Sequence, residues 1–289
     1  MYQMLSSAPC KRGTEFGRAR LLPSLLPSDA GSPGGSPSRG NPRRILYRVV
    51  LRITACAWLF FPVLALGQAT TDAPSQPVRI VLAGDSTVTD ASGWGSGFKR
   101  LLTPGAVCVN VAKSGRSSRS FRDEGHWKTV LAEHPDYVLI QFGHNDQKGK
   151  GPERETDPST TYREFLARYV DEARAAGATP VLITPMTRRG FRGKTLAVDP
   201  LADYAEAVKA VAASKNVPVL DLHARSREAV EALGSKESDT LGPTTKEGKP
   251  DRTHLNAKGA DLMARIVADE LRKAVPALVK VIRKEKEPK

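Results

Sequence analysis

Residues 78–87 read Val-Arg-Ile-Val-Leu-Ala-Gly-Asp-Ser-Thr. The first six are mostly branched and apolar, which is typical of a short strand buried on both faces. The Gly-Asp-Ser that follows predicts a tight turn, so Ser86 stands at the carboxyl end of the strand. A serine in that position can present its hydroxyl at the edge of a sheet, beside free backbone N–H groups. These are also ordinary turn residues, and the tripeptide alone does not indicate catalysis.

Four further apolar runs predict strands, over residues 107–112, 137–142, 179–184 and 217–221. Apolar residues at helical spacing predict helices over residues 162–176, 201–214 and 226–233, and Asn256 is placed to cap a last helix. Strands that alternate with helices in this way predict a three-layer α/β fold around a mostly parallel, five-stranded sheet, over residues 78–275. In such folds the site lies at the carboxyl ends of the strands.

The loops after the second and third strands carry candidate donors to an oxyanion. Gly115 follows the second strand, where a glycine permits close backbone approach and its N–H can donate. Residues 142–146, after the third strand, read Phe-Gly-His-Asn-Asp, and the side-chain amide of Asn145 can donate as well. Simple loop capping is the alternative explanation for both residues.

A candidate base lies near the end of the chain, in the sequence Asp-Arg-Thr-His over residues 251–254. Of the five histidines, only His254 has a carboxylate three positions earlier in a loop that runs directly into a capped helix. An imidazole held by a carboxylate can take the proton of a serine at neutral pH, whatever the order of the residues in the chain. We therefore predict that Ser86, His254 and Asp251 act together.

Taken together, these blocks closely resemble the SGNH (GDSL) hydrolase superfamily. The resemblance rests on Gly-Asp-Ser at 84–86, Gly115, Gly-His-Asn-Asp at 143–146 and Asp-x-x-His at 251–254. Within that superfamily, Thr87, Gly-Trp-Gly at 93–95 and Gly-Arg-Ser-Ser-Arg-Ser-Phe at 115–121 resemble the rhamnogalacturonan acetylesterase family. The similarity covers residues 78–275.

The resemblance implies a flavodoxin-like α/β/α sandwich and an acyl-enzyme mechanism that needs no metal or other cofactor. Ser86 would be the nucleophile, His254 the base and Asp251 the group that orients the imidazole. The N–H groups of Ser86 and Gly115 and the amide of Asn145 would form the oxyanion hole. The substrate would be an acetyl ester on a pectic polysaccharide.

Arginines follow the second and fourth strands, at the edge of the sheet that carries the predicted site. We predict that some of them bind carboxylates of an acidic polysaccharide or oligosaccharide, because the guanidinium group suits bidentate carboxylate contacts. Solvated loop charges are an equally good explanation, since arginine is mostly exposed in proteins. The candidates are Arg116, Arg119, Arg188 and Arg189.

The formal net charge of +13 is concentrated at the two ends of the chain. Residues 1–67 contain nine Lys and Arg against two acids, and residues 276–289 form a predicted basic tail. A Gly-, Pro- and Ser-rich stretch over residues 1–42 predicts disorder. A basic cluster, an apolar run over residues 53–66 and small residues before Gln68 then predict a signal peptide cleaved near Gly67 and a secreted or periplasmic protein.

The apolar run is shorter than the about 20 residues that span a bilayer, so we expect no stable membrane span after cleavage, although a retained anchor is an alternative. No motif indicates a nucleic-acid partner. Two other functions stay open: an SGNH esterase acting on xylan acetyl groups, lipids or thioesters, and a basic, non-catalytic polysaccharide-binding protein.

Cys108 is the sole cysteine after residue 67, which excludes an internal disulfide in the mature chain.

Overall fold

A parallel sheet of five strands forms the centre of residues 76–283, the part of the chain that the structure, a computed structural model, describes. The strands of the sheet are β1 (Val78–Gly84), β2 (Ala106–Asn110), β3 (Tyr137–Gln141), β4 (Thr179–Ile183) and β7 (Val219–Leu220), and a separate hairpin comprises β5 (Phe191–Arg192) and β6 (Thr195–Leu196). The order in the sheet is β2-β1-β3-β4-β7. The predicted α/β fold is confirmed, with each predicted strand found within two residues of its expected ends.

Seven α-helices and a 3-10 helix connect and cover these strands within the described residues. They are α1 (Gly95–Arg100), α2 (Ser118–Asp123), α3 (His126–Ala132), α4 (Thr161–Ala175), α5 (Ala202–Lys215), α6 (Leu222–Asp239), α7 (Ala257–Ala274) and the 3-10 helix Pro276–Val281. The sequence did not predict the first three, because helices of six or seven residues are too short to show a periodic apolar face. None of the helices within residues 76–283 is both long and apolar enough to cross a membrane.

The core lies in two layers, one on each face of the sheet. Ile80 and Leu82 point into one layer with α1, α6 and α7, while Val81 and Ala83 point into the other with α2, α3, α4 and α5. Alternate residues of a strand face opposite sides of a sheet, so a strand covered by helices on both faces has to be apolar throughout. This explains why residues 78–83 read as a continuous apolar run.

Two boundaries differ from those predicted. Helix α6 begins at Leu222 and not at Ser226, and its first segment ends at Gly234 as predicted, where a φ of 73° and a ψ of 174° are not helical; a second segment then runs to Asp239. The folded domain also extends past residue 275, because Leu278 and Ile282 are buried in the core and the N–H of Thr103 donates to the carbonyl of Val281. The remaining predicted tail, residues 284–289, and the predicted leader and its cleavage near Gly67 lie outside the described residues.

Candidate active site

Three predicted site loops meet at the carboxyl edge of the sheet because β1 lies between β2 and β3. Ser86 follows β1, Gly115 follows β2 and Asn145 follows β3. The loops are also joined directly: the N–H of Lys113 donates to the carbonyl of Gly84 over 2.9 Å. The Asn145 amide donates to the carbonyl of Arg116 over 3.2 Å. Parallel order and these two contacts bring residues from distant parts of the sequence to one edge.

The turn that carries Ser86 is held by hydrogen bonds to both of its ends. The carboxylate of Asp85 accepts from the N–H of Thr87 at 2.9 Å and from its hydroxyl at 2.7 Å. The carbonyl of Ser86 accepts from the hydroxyls of Thr89 and Ser92. With its backbone held in this way, Ser86 is 6% exposed and its hydroxyl faces the imidazole of His254.

Ser86, His254 and Asp251 form a continuous chain of contacts. Ser86 Oγ lies 3.0 Å from His254 Nε2, and His254 Nδ1 lies 2.8 Å from Asp251 Oδ2. The other carboxylate oxygen of Asp251 accepts from the N–H groups of Thr253 and His254. Burial by itself would raise the pKa of Asp251, but these donors and the imidazole lower it to about 2. Asp251 is therefore ionised at neutral pH and can hold His254 Nδ1 in its protonated form.

The predicted oxyanion donors are available to a ligand. Within residues 76–283, neither the N–H of Ser86 nor that of Gly115 donates to a protein group. Gly115 takes a φ of 77°, a region that side chains other than glycine enter at a cost. The amide nitrogen of Asn145 carries two hydrogens, of which the bond to Arg116 uses one. Each of these groups can thus donate to an oxygen that develops negative charge.

Asp146 connects the two loops that carry Gly115 and Asn145, a role that the sequence did not reveal. Its carboxylate accepts from the N–H and hydroxyl of Ser118, from the N–H of Gly143 and from the hydroxyl of Thr156. It is fully buried. An aspartate directly after the candidate Asn145 was the available signal, but its partners become visible only in three dimensions.

A buried polar chain under the serine turn was also missed. The indole N–H of Trp94 donates to Gln141 over 2.8 Å, the Gln141 amide donates to Thr87 over 2.7 Å, and Thr87 donates to Asp85. His144 lies on the other side, with Nδ1 3.6 Å from Asp85 Oδ2. Burial opposes ionisation of Asp85, yet His144 and Thr87 lower its pKa. The Gly-Trp-Gly pattern at 93–95 was the only sequence signal for this support.

Arg189 does not have the predicted role of a substrate contact. Its side chain is fully buried, and Nη2 donates to the carbonyls of Asp251 and His254 over 2.6 and 2.7 Å. Burial lowers the pKa of Arg189 to about 10. A guanidinium with no exposed surface cannot reach a polymer in solvent. It holds the backbone of two candidate catalytic residues instead.

The other predicted arginines are half-buried and have partners of different kinds. Arg116 pairs with Glu124 over 2.7 Å, which uses its charge within the protein. Arg119 donates to the carbonyl of Pro152 over 2.7 Å. Arg188 donates to the hydroxyl of Thr253 and to the side chain of Gln147, both neutral groups. Of the three, Arg188 is the one that bonds to the catalytic loop, residues 251–254, through Thr253.

Among the described residues, no group of three or more His, Cys, Asp or Glu side chains is placed to hold a metal ion. The thiol of Cys108 lies half-buried in β2, and burial raises its pKa to about 12. A thiol in that state is a weak nucleophile.

A family model and two similar proteins all indicate that the chain is an esterase of one family. A model described as the GDSL-like lipase/acylhydrolase family matches residues 65–262. Rhamnogalacturonan acetylesterase RhgT of Bacillus subtilis (strain 168) is 40% identical over 212 residues, which cover 67% of this chain and 89% of RhgT. The probable rhamnogalacturonan acetylesterase YesY of the same organism is 37% identical over 216 residues, covering 72% of this chain and 99% of YesY.

Solved structures agree on the fold. The crystal structure of protein YXIM from Bacillus subtilis matches with a TM-score of 0.59 at 25% identity, covering 70% of this chain and 58% of that one. Axe2, an acetylxylan esterase from Geobacillus stearothermophilus, matches with a TM-score of 0.52 at 20% identity, covering 68% and 94%. At that identity, the likeness to Axe2 concerns the fold alone. The SGNH (GDSL) resemblance predicted from the sequence is confirmed: the chain belongs to the GDSL-like lipase/acylhydrolase family and is a carboxylic ester hydrolase.

Proposed function

We propose that the protein is a secreted carbohydrate esterase that removes acetyl groups from a plant-type polysaccharide, rhamnogalacturonan foremost, with Ser86 as nucleophile. The observation that carries the proposal is the chain of contacts from Asp251 through His254 to Ser86, with spacings of 2.8 and 3.0 Å. The relatives RhgT and YesY, both named as rhamnogalacturonan acetylesterases, support the choice of substrate.

In the first half of the reaction, Ser86 Oγ attacks the carbonyl carbon of the acetyl ester while its proton passes to His254 Nε2. The carbonyl oxygen becomes negatively charged and accepts hydrogen bonds from the N–H groups of Ser86 and Gly115 and from the Asn145 amide. Collapse of this intermediate breaks the bond to the sugar oxygen. The imidazolium returns its proton to that oxygen, and the sugar hydroxyl leaves.

In the second half, water attacks the acetyl group on Ser86. His254 again takes the proton, the same donors stabilise the oxyanion, and the proton returns to Ser86 Oγ as acetate leaves. Asp251 stays ionised throughout and stabilises the imidazolium that forms twice in each cycle. Its low pKa suits this role, because the carboxylate does not compete for the proton.

The variant Ser86→Ala tests the mechanism on 4-nitrophenyl acetate and on acetylated rhamnogalacturonan. Without the nucleophile we expect kcat to fall by at least about 10⁴-fold. Ser214→Ala on α5 offers a control, because it also removes a serine hydroxyl but one that bonds only to the carbonyl of Val211 in its own helix. Hydrolysis that survives Ser86→Ala would overturn the assignment.

The substrate is tested by acetate release from acetylated rhamnogalacturonan, acetylated xylan and short acyl esters under the same conditions. The proposal expects the highest kcat/KM on rhamnogalacturonan. A preference for xylan, for lipid-like esters or for thioesters would establish one of the other esterase functions that the sequence left open. Binding of polysaccharide with no release of acetate would establish the non-catalytic function.

Secretion is tested on the full chain. Expression with its own leader, followed by N-terminal sequencing of the exported protein, is expected to give a mature start just after Gly67. Recovery of the intact leader in the membrane fraction would establish a retained anchor instead.

A further inference from the structure

A cavity of about 400 Å³ lies beside the candidate active site, between the loops that follow β3 and β4. This volume is within the range of about 300–1,000 Å³ that is usual for small-molecule sites. Two lysines and a glutamine come from the loop after β3, and the other residues come from the β4–α5 connection and from α5. The lining residues are Gln147, Lys148, Lys150, Arg188, Pro200 and Tyr204.

Arg188 connects this cavity to the catalytic loop. One guanidinium nitrogen donates to the hydroxyl of Thr253 over 2.8 Å, and another donates to the side chain of Gln147 over 2.7 Å. Thr253 directly precedes His254, and Gln147 follows Asn145 by two residues. The cavity is therefore linked through Arg188 to the loop that carries the base, and it is lined by the loop that carries Asn145.

The charge of the cavity lining is uniformly positive. Within residues 76–283, the side chains of Lys148, Lys150 and Arg188 form no ion pair, and no acidic residue lines the cavity. Two other cations at this edge are matched by carboxylates: Arg116 pairs with Glu124 and Arg122 pairs with Glu172. Glu155 attracts Lys148 and Asp199 attracts Arg188 from outside the lining, but no carboxylate lies in the cavity itself. A concave surface lined by three cations without an ion pair favours an anionic ligand.

Of the three cations that line the cavity, Arg188 is the one whose side chain is fixed by hydrogen bonds within the protein. Burial lowers the pKa of its guanidinium, although Asp199, Asp85 and Asp251 attract the charge, and none of these carboxylates forms an ion pair with it in residues 76–283. A charge in that state gains from an anion that arrives with the substrate. A guanidinium pairs with a carboxylate through two parallel hydrogen bonds, and the two lysines add charge without fixed geometry.

We propose that this cavity is a subsite for the carboxylate of a uronate residue, next to the acetylated sugar whose ester lies at Ser86. The inference rests on the proposed function and adds the residues that would select an acidic polymer over a neutral one. Of the four arginines that the sequence predicted to bind substrate, it keeps only Arg188. It adds Lys148 and Lys150 as substrate-binding residues, which the sequence did not single out.

The double variant Lys148→Gln/Lys150→Gln tests the subsite. Neither side chain forms a hydrogen bond or ion pair within the described part of the chain, so the variant should fold as the parent does. The control is Lys128→Gln/Lys280→Gln, which removes the same charge from exposed lysines on α3 and on the 3-10 helix. Melting temperatures check the folding of both variants.

The readout is the ratio of kcat/KM on acetylated rhamnogalacturonan oligosaccharides, which are acidic, to that on acetylated xylooligosaccharides, which are neutral. For Lys148→Gln/Lys150→Gln we expect the ratio to fall about three- to tenfold, mainly through KM, and for the control about 1.5-fold at most. In the parent enzyme, raising NaCl from 20 to 500 mM should lower the same ratio, because salt screens the attraction.

The outcomes separate this inference from the proposed function. If the parent prefers the acidic substrate but both double variants keep the same ratio, the cavity assignment is overturned and the function stands. If the parent releases no acetate from either oligosaccharide, the proposed function is overturned and the subsite with it. A ratio that falls in Lys148→Gln/Lys150→Gln alone supports both.

Discussion

Replacing Arg189 by methionine removes a buried support of the catalytic loop without leaving a large void. In the folded protein, Arg189 Nη2 lies 2.6 Å from the carbonyl of Asp251 and 2.7 Å from that of His254. Methionine is long, unbranched and apolar, so it can occupy much of the same space but donates no hydrogen bond. The bond from the backbone N–H of residue 189 to the carbonyl of Arg252 is kept.

The expected loss of stability follows from these two bonds. A hydrogen bond from a charged donor contributes about 1.5–3 kcal/mol, which gives about 3–6 kcal/mol for the pair. Part of this is offset, because Arg189 Nε and Nη1 are buried with no hydrogen-bond partner within residues 76–283, and removing the charge relieves that cost. We therefore expect Arg189→Met to lower the free energy of unfolding by about 2–4 kcal/mol.

Activity should fall as well, because the two carbonyls belong to the base and to the residue that orients it. Once released, His254 can leave the position 3.0 Å from Ser86 Oγ, and a displacement of about 1 Å can cost about 10²-fold in rate. We expect kcat on 4-nitrophenyl acetate to fall by about 10- to 100-fold in Arg189→Met, with a smaller change in KM. Arg189→Lys, which keeps a charged donor, should recover part of both losses.

Urea unfolding and steady-state kinetics on the same preparations measure the two effects. The matched control is Arg192→Met on the exposed hairpin, which should change stability by about 0.5 kcal/mol at most. If Arg189→Met loses stability but its kcat stays within twofold of the parent, the positioning role is refuted. If neither quantity changes, the two hydrogen bonds do not stabilise the loop.

Three further predictions concern the oxyanion hole, the pH dependence and the C-terminal packing. Asn145→Ala should lower kcat on 4-nitrophenyl acetate by about 10²–10³-fold with little change in melting temperature, and an unchanged kcat would remove Asn145 from the oxyanion hole. Because folding lowers the pKa of Asp251 to about 2, its stabilising contribution is present above its ordinary pKa and is lost as pH falls from about 4 to 2. The melting temperatures of the parent and of Asp251→Asn should therefore converge over that interval, and a constant difference would contradict the low pKa. Leu278→Ala, at a fully buried position, should cost about 2–5 kcal/mol in urea unfolding, whereas Val279→Ala, at a partly exposed one, should cost less than about 1 kcal/mol.

The strands of the sheet and the longer helices between them could be predicted because their signals are local, whereas the order of the strands came only from the structure. A strand covered on both faces must be apolar throughout, and the helices between strands must be amphipathic, so both patterns are visible along the chain. Short helices such as α2 (Ser118–Asp123) carry too few residues for a pattern. Gly234 was a local signal of the same kind: it predicted the helix end, and its non-helical φ of 73° breaks α6 at that residue.

The amino-acid sequence by itself determined the fold class and the residue types at the strand ends, because periodicity and turn chemistry act between near neighbours. It also placed Asp251 three residues before His254, a spacing that fits their contact. Only the tertiary structure decided that Ser86, 168 residues away from His254, lies 3.0 Å from it. Only the structure separated Arg189, buried behind the catalytic loop, from Arg188, which faces a cavity. Adjacent arginines look alike in a sequence, and the backbone direction at the end of β4 determines which one points inward.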